Sequence, residues 1–163
     1  AIATLFGFCL GGGLELPLAC HFRLAADRGA QMGLPEMDLG SVPAWGGSAR
    51  LPRAVGRTHA LDMILRGLKI DGEHAYRIGL VSELVPMAEL KARAQALGEE
   101  IAAQPRQAVK SMLDVVVGFE TKTLAESLAD EGAAVTASRG SANSLEGMQA
   151  FMEKRKPVFN QDL

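Results

Sequence analysis

Apolar positions fall into two rhythms along this chain. Up to about residue 55 they come in short runs broken by glycine and proline; beyond it they recur every three or four residues. Ala1 to Phe8 reads as a short buried strand, β-branched and aromatic and ended by glycine. Gly11 to Gly13 form a turn, and Leu14 to Cys20 a helix packed close to it, with Pro17 tolerated through its nearness to the helix start. Phe22 to Ala26 alternates at first and reads as a strand, and Asp27-Arg28-Gly29 as a turn. Gln31 to Gly47 is rich in Gly and Pro and reads as mostly irregular, the kind of ordered loop that often carries function.

The second rhythm is helical. Ser48 to Val55 and Thr58 to Leu65 are short helices divided by Gly56, and Asp71 caps another that ends at Gly79. Val81 to Val85 is a strand stopped by Pro86. Met87, Leu90, Ala94, Leu97 and Ile101 then mark an amphipathic helix. Further helices start at Pro105 and span Thr123 to Arg139 and Leu145 to Lys156. By character the chain divides into residues 1–55, holding strands and candidate chemistry, and residues 56–163, a helical region suited to closing a pocket or joining subunits.

Composition narrows this picture. The length of 163 residues, 48% apolar content and 22% charged residues describe one ordinary globular domain. Aromatics make up only 5%, so packing rests on aliphatic side chains and Met. A net charge of -2 and no clustered basic face argue against nucleic acid. The uncharged opening stretch is too short for a membrane span and lacks the basic start of a signal peptide. It also opens without Met inside an apolar run, as a chain starting mid-domain would. Gln161-Asp162-Leu163 carries no recognised address signal. Cys9 and Cys20 lack metal-ligand spacing and read as reduced thiols in a cytoplasmic setting, with a single disulfide as the other reading. His21, His59 and His74 have no triad partners, the last two reading as helix-surface residues. No serine-hydrolase elbow, P-loop or dinucleotide fingerprint occurs.

Two glutamates stand out. Glu15 follows the glycine run, in the first turn of a helix whose leading N–H groups are unpaired and carry positive potential. Its neighbours Leu14, Leu16, Pro17 and Leu18 are apolar, so it is expected to be partly desolvated. Glu36 lies in the Gly/Pro-rich stretch. Each also has a plain reading, as a helix-start carboxylate or a loop cap. The glycines serve equally for close strand–helix packing or for backbone access to a ligand oxygen. Trp45, in Pro43-Ala44-Trp45-Gly46-Gly47, is either a pocket wall or a core residue. Lys154-Arg155-Lys156 suits a helix C-terminus or a phosphorylated ligand.

Taken together, four stretches resemble the crotonase family, the enoyl-CoA hydratase/isomerase proteins: Gly7 to Cys20 (GFCLGGGLELPLAC), Gly33 to Arg57 (GLPEMDLGSVPAWGGSARLPRAVGR), Gly79 to Pro86 (GLVSELVP) and Glu146 to Phe159 (EGMQAFMEKRKPVF). They run in the family's order across nearly the whole chain. The resemblance implies an α/β fold, a spiral of strand–strand–helix turns of which this chain holds the C-terminal part, followed by helices that build a trimer or a dimer of trimers. It implies an acyl-CoA thioester substrate, with coenzyme A entering as part of that substrate and with no separate cofactor or metal.

By the same resemblance Glu15 and Glu36 match the two catalytic glutamates of the hydratases. Gly12 matches one backbone donor of the oxyanion hole, the other belonging upstream of Ala1. Gly11, Ala44 and Trp45 fall at substrate-binding positions. Phe151 and Lys154 match residues that reach a neighbouring subunit's acyl-CoA. Ala44 stands where Gly is frequent and is followed by the bulky Trp45, which implies a narrowed or reshaped acyl pocket; His21 stands where an acidic residue is common. The implied reaction is hydration of a 2-enoyl-CoA. Isomerisation, hydrolysis or decarboxylation on the same scaffold, or a non-catalytic oligomerising remnant, are the alternatives.

Overall fold

A computed structural model describes residues 1–161; Asp162 and Leu163, at the end of the stretch read for an address signal, lie outside the described residues. The chain packs as two compact units, Ala1–Ala96 and Leu97–Leu163. The helices between residues 56 and 96 therefore pack with the strands.

In the first unit the opening apolar run is two strands. β1 (Ile2–Leu5) and β2 (Phe8–Leu10) are separated at Gly7, whose φ of 59° turns the chain out of one sheet and into another. Helix α1 (Gly12–Leu18) follows, then β3 (Phe22–Ala26) and β4 (Gln31–Gly33). β1 pairs in parallel with β3, and β2 in parallel with β4, so each strand–strand–helix turn lays one strand on each sheet. β5 (Glu83–Val85) adds to the other side of β3, giving the order β1-β3-β5. Leu24, Ala25 and Ala26 are fully buried, as expected for a central parallel strand covered on both faces.

Further details differ from the sequence reading. β4 and a 3-10 turn at Pro35–Leu39 give order to a stretch read as mostly irregular. Pro17 lies in the last turn of α1, not near its start. It is accommodated because α1 has only seven residues and closes tightly, with Ala19 N–H on the Leu16 carbonyl and Cys20 N–H on that of Pro17.

α2 (Gly47–Leu65) is two helical segments that meet at Gly56, where φ is 78° and ψ 161°. α3 (Gly72–Arg77) is capped by Asp71, whose side chain accepts the His74 N–H at 2.8 Å. His59 and His74, expected on the surface, are half-buried and meet edge to face with ring centroids 6.2 Å apart. Cys9 and Cys20 are free thiols, and burial pushes the Cys9 thiol up.

α4 (Leu90–Ala102) crosses the boundary between the units, and Met87 falls just outside it. The second unit continues with α5 (Arg106–Gly118), α6 (Leu124–Ser138) and α7 (Ala142–Glu153), α5 packing on α6. Thr123 and Glu126 form a reciprocal capping box at the start of α6. α7 begins at Ala142, three residues before the position read from the pattern, because Ser141 accepts the Ser144 N–H and opens the helix there. Its C-terminus is tied back by Arg155, which donates to Glu146 and Glu153. No described helix is long and apolar enough to cross a membrane, and no described group of three or more His, Cys, Asp or Glu is placed to hold a metal ion.

Candidate active site

The glycine run positions the first part of the site. Gly11 is the N-cap of α1 with φ 54° and ψ −126°, backbone angles open to a residue without a Cβ. Its N–H bonds the Gly33 carbonyl at 3.0 Å, and its own carbonyl receives Leu14 and Glu15. The N–H groups of Gly12 and Gly13, first in the helix, have no intrahelical carbonyl to bond. They point a polarised edge out of the helix start.

Glu15 lies one turn further on and is 3% exposed. Its Oε1 accepts two backbone N–H groups, from Trp45 and Gly47, each at 2.8 Å. Charge-assisted bonds of this kind each contribute about 1.5–3 kcal/mol and offset the cost of burying a carboxylate. They also lock the Pro43–Gly47 loop onto α1. Both donors use the same oxygen, Oε1, and neither bonds Oε2. Gly47 must lack a side chain here: a Cβ would fall 2.9 Å from Glu15 Cγ and Oε1 and 2.8 Å from Leu34 Cδ1.

Glu36 enters from the 3-10 turn that follows β4. Its Oε1 lies 3.1 Å from where a Cβ on Gly11 would be, so its carboxylate faces the cap of the helix that carries Glu15. Its Oε2 is buried with no hydrogen-bond partner among the described residues. A buried, unpartnered carboxylate oxygen is costly and calls for a ligand or water to meet it. Trp45 completes the group. Its ring packs on Gly12, the nearest indole carbons being 2.5 and 2.8 Å from the position of a Cβ there. Trp45 is 76% exposed, so it is not a core residue of this unit. Ala44, next to it in the same loop, is exposed.

Five of the residues singled out in the sequence thus converge in the first unit: Gly11, Gly12, Glu15, Glu36 and Trp45. Phe151 and Lys154 belong to the second unit. Phe151 lines an open cavity of about 580 Å³ together with Pro105, Met148 and Phe159. Lys154 caps α7 in the left-handed conformation, with φ 56°. Gly47 was not singled out as a site residue. Its signal lay in the Gly46-Gly47 pair, but only the contact with Glu15 shows what the second glycine is for.

Two carboxylates thus lie beside the start of α1. The family model described as "Enoyl-CoA hydratase/isomerase" matches residues 1–162. The chain belongs to the enoyl-CoA hydratase/isomerase family.

As a crotonase it is 42% identical over 159 residues to a protein named "Probable enoyl-CoA hydratase" from Bacillus subtilis (strain 168), covering 97% of this chain and 61% of that one. It is 45% identical over 117 residues to a "Fatty acid oxidation complex subunit alpha" of Shewanella baltica (strain OS185), covering 71% of this chain and 17% of the longer protein. The crystal structure of an enoyl-CoA hydratase from Bacillus anthracis superposes with a TM-score of 0.89 at 38% identity, covering 94% of this chain and 59% of that one. The chain therefore spans about three fifths of the length of the two Bacillus proteins. The crotonase spiral with its following helices is the architecture seen here: parallel strands dealt alternately to two sheets, then a run of helices.

Proposed function

We propose that this protein hydrates the double bond of a 2-enoyl-CoA, with Glu15 and Glu36 as the acid–base pair and the Gly12 N–H as one donor to the thioester oxygen. The observation that carries the reading is the pairing of an anchored and an unpartnered carboxylate. Glu15 is held by two backbone donors on one oxygen, while Glu36 has a buried oxygen with no partner among the described residues. Family membership supports it, as do the matching names of the relatives.

The chemistry follows from these placements. A donor on the thioester oxygen draws electrons from the conjugated double bond and makes C3 electrophilic. Glu15, as a carboxylate fixed in direction, takes a proton from water as the water oxygen bonds to C3. The π electrons move to C2 through the enolate, and Glu36, starting as the acid, delivers its proton there. Glu15 ends protonated and Glu36 ionised, and exchange with solvent restores both. Each positioned proton transfer contributes about 10²–10⁴-fold.

Gly11, Ala44 and Trp45 line the acyl end in this reading. Phe151 and Lys154 contact the coenzyme A part of a substrate held by a neighbouring subunit of a homotrimer or a dimer of trimers in the cytoplasm. The second oxyanion donor is assigned to a segment outside residues 1–163. Isomerisation or hydrolysis on the same scaffold are told apart by product mass, since only hydration adds one water across the double bond while leaving the thioester intact.

The test is loss of enoyl absorbance from crotonyl-CoA. Glu36→Gln is expected to lower kcat by about 10²–10⁴-fold with an unchanged circular dichroism spectrum. A protein with no turnover on any 2-enoyl-CoA, or one whose turnover ignores Glu36→Gln, sinks the assignment.

A further inference from the structure

The three heavy atoms nearest to a Cβ built on Gly12 all belong to the six-membered ring of Trp45, at 2.5, 2.8 and 3.6 Å. The ring is thus packed on the glycine itself. Its backbone is held on both sides of the Cα. The Trp45 N–H goes to Glu15 Oε1 at 2.8 Å, and the Trp45 carbonyl accepts from Arg50 Nη1 at 3.1 Å. Gly46 turns the chain at φ 97°, and Gly47 returns its N–H to the same Glu15 oxygen. The Cα–Cβ direction is set by these anchors, while the ring stays largely open. An aromatic ring fixed through its backbone, apolar and accessible, is suited to offset stacking.

We propose that Trp45 selects flat, conjugated acyl groups, a 2-enoyl thioester whose double bond continues into an aromatic ring, by stacking the acyl plane on its indole. The proposal rests on the reading of Gly12 as oxyanion donor. With the thioester oxygen on that N–H, the first acyl carbons lie beside the ring packed on the same residue. A trans-2-enoyl thioester is flat from its carbonyl through C3, and an aryl group at C3 extends the plane. A short aliphatic enoyl group offers little area to stack, and a tetrahedral branch lifts the plane off the ring.

The experiment compares cinnamoyl-CoA with crotonyl-CoA on the unmodified protein, Trp45→Ala and Trp45→Phe. Trp45→Ala is expected to lose about tenfold or more in kcat/KM on cinnamoyl-CoA and less than about threefold on crotonyl-CoA, with Trp45→Phe between. An equal loss on both substrates overturns the proposal, because it marks Trp45 as mere support for the Glu15 loop.

A second readout is independent of turnover. Trp45 is the only tryptophan of the chain. Its fluorescence should be quenched on binding cinnamoyl-CoA, with Trp45→Phe as the blank and free tryptophan correcting for absorbance. Quenching without hydration of either thioester supports stacking and sinks the hydratase reading. Hydration of crotonyl-CoA with neither quenching by cinnamoyl-CoA nor preference for it sinks stacking alone. Absence of binding to both thioesters sinks both.

Discussion

The two units of this chain use apolar residues in opposite ways. In residues 1–96 the aliphatic side chains face inward: Leu5, Leu14, Leu24, Met32, Leu34, Leu51, Met63 and Leu80 are all but completely buried. In residues 97–163 Ala150 is the one buried apolar residue among those described, while Met112, Val116, Phe119, Leu124, Leu128, Val135, Met148 and Phe151 stay exposed. The candidate carboxylates sit in the unit with the core. Holding Glu15 and Glu36 to fractions of an ångström needs neighbours that cannot move, and a close-packed interior supplies them. The helical unit keeps its apolar surface for something else, and the proposed trimer is what would cover it.

The sharpest way to break this comparison is to make the same truncation in each unit. Leu24→Ala should cost about 2–5 kcal/mol in denaturant unfolding, through lost burial and the cavity left behind. Leu128→Ala on α6 should change the stability of the separated chain by no more than about 0.5 kcal/mol while weakening association in sedimentation. Comparable, concentration-independent losses from both would show that the helical unit has a core of its own.

Gly47→Ala should follow, at about 1–3 kcal/mol, because the new methyl meets Leu34 and Glu15 where neither can yield freely. Activity should fall with it, since the Glu15 anchor is displaced. A variant with native melting and native turnover would mean that the loop relaxes. Smaller still is Thr123→Ala, about 1 kcal/mol, from loss of the capping box on α6. Its effect should appear as earlier hydrogen exchange in α6 and leave the strands of the first unit unchanged.

The smallest effect is pH-dependent. Hydrogen bonds from Arg155, with a further one from the Val158 N–H, hold the Glu146 carboxyl at about 2 against an ordinary 4.5. A lowered folded-state value stabilises above about pH 4.5, and that contribution is lost as pH falls from 4.5 towards 2. The end of α7 should loosen over this window by NMR, and Glu146→Gln should abolish the transition. An unchanged acid transition in that variant would assign it to other carboxylates.

Much of the architecture was legible in local pattern. The Gly56 break, the Asp71 cap, the helix from Thr123 and the β3 strand were all readable because each depends on a few neighbouring residues. The division of the opening run into β1 and β2 was not. Both halves are apolar, and only their pairing with different strands separates them. The order hidden in Gln31 to Leu39 was missed for the same reason: β4 exists through its partner β2. Glu15 and Glu36 were visible as carboxylates in apolar or glycine-rich settings, yet residue type alone favoured the structural reading of each over the chemical one.

By itself the sequence determined the class of the fold, the helical tail, the family and the residue types on offer at the site. Those follow from periodicity, caps and motif order, which act over a handful of residues. Tertiary structure alone decided that Glu15 takes its donors from Trp45 and Gly47, thirty and more residues away, that Glu36 comes to the cap of α1 with one oxygen unmet among the described residues, and that Trp45 packs on Gly12. Such contacts depend on where two sheets and a loop bring the chain back to itself, and no local rule encodes that return.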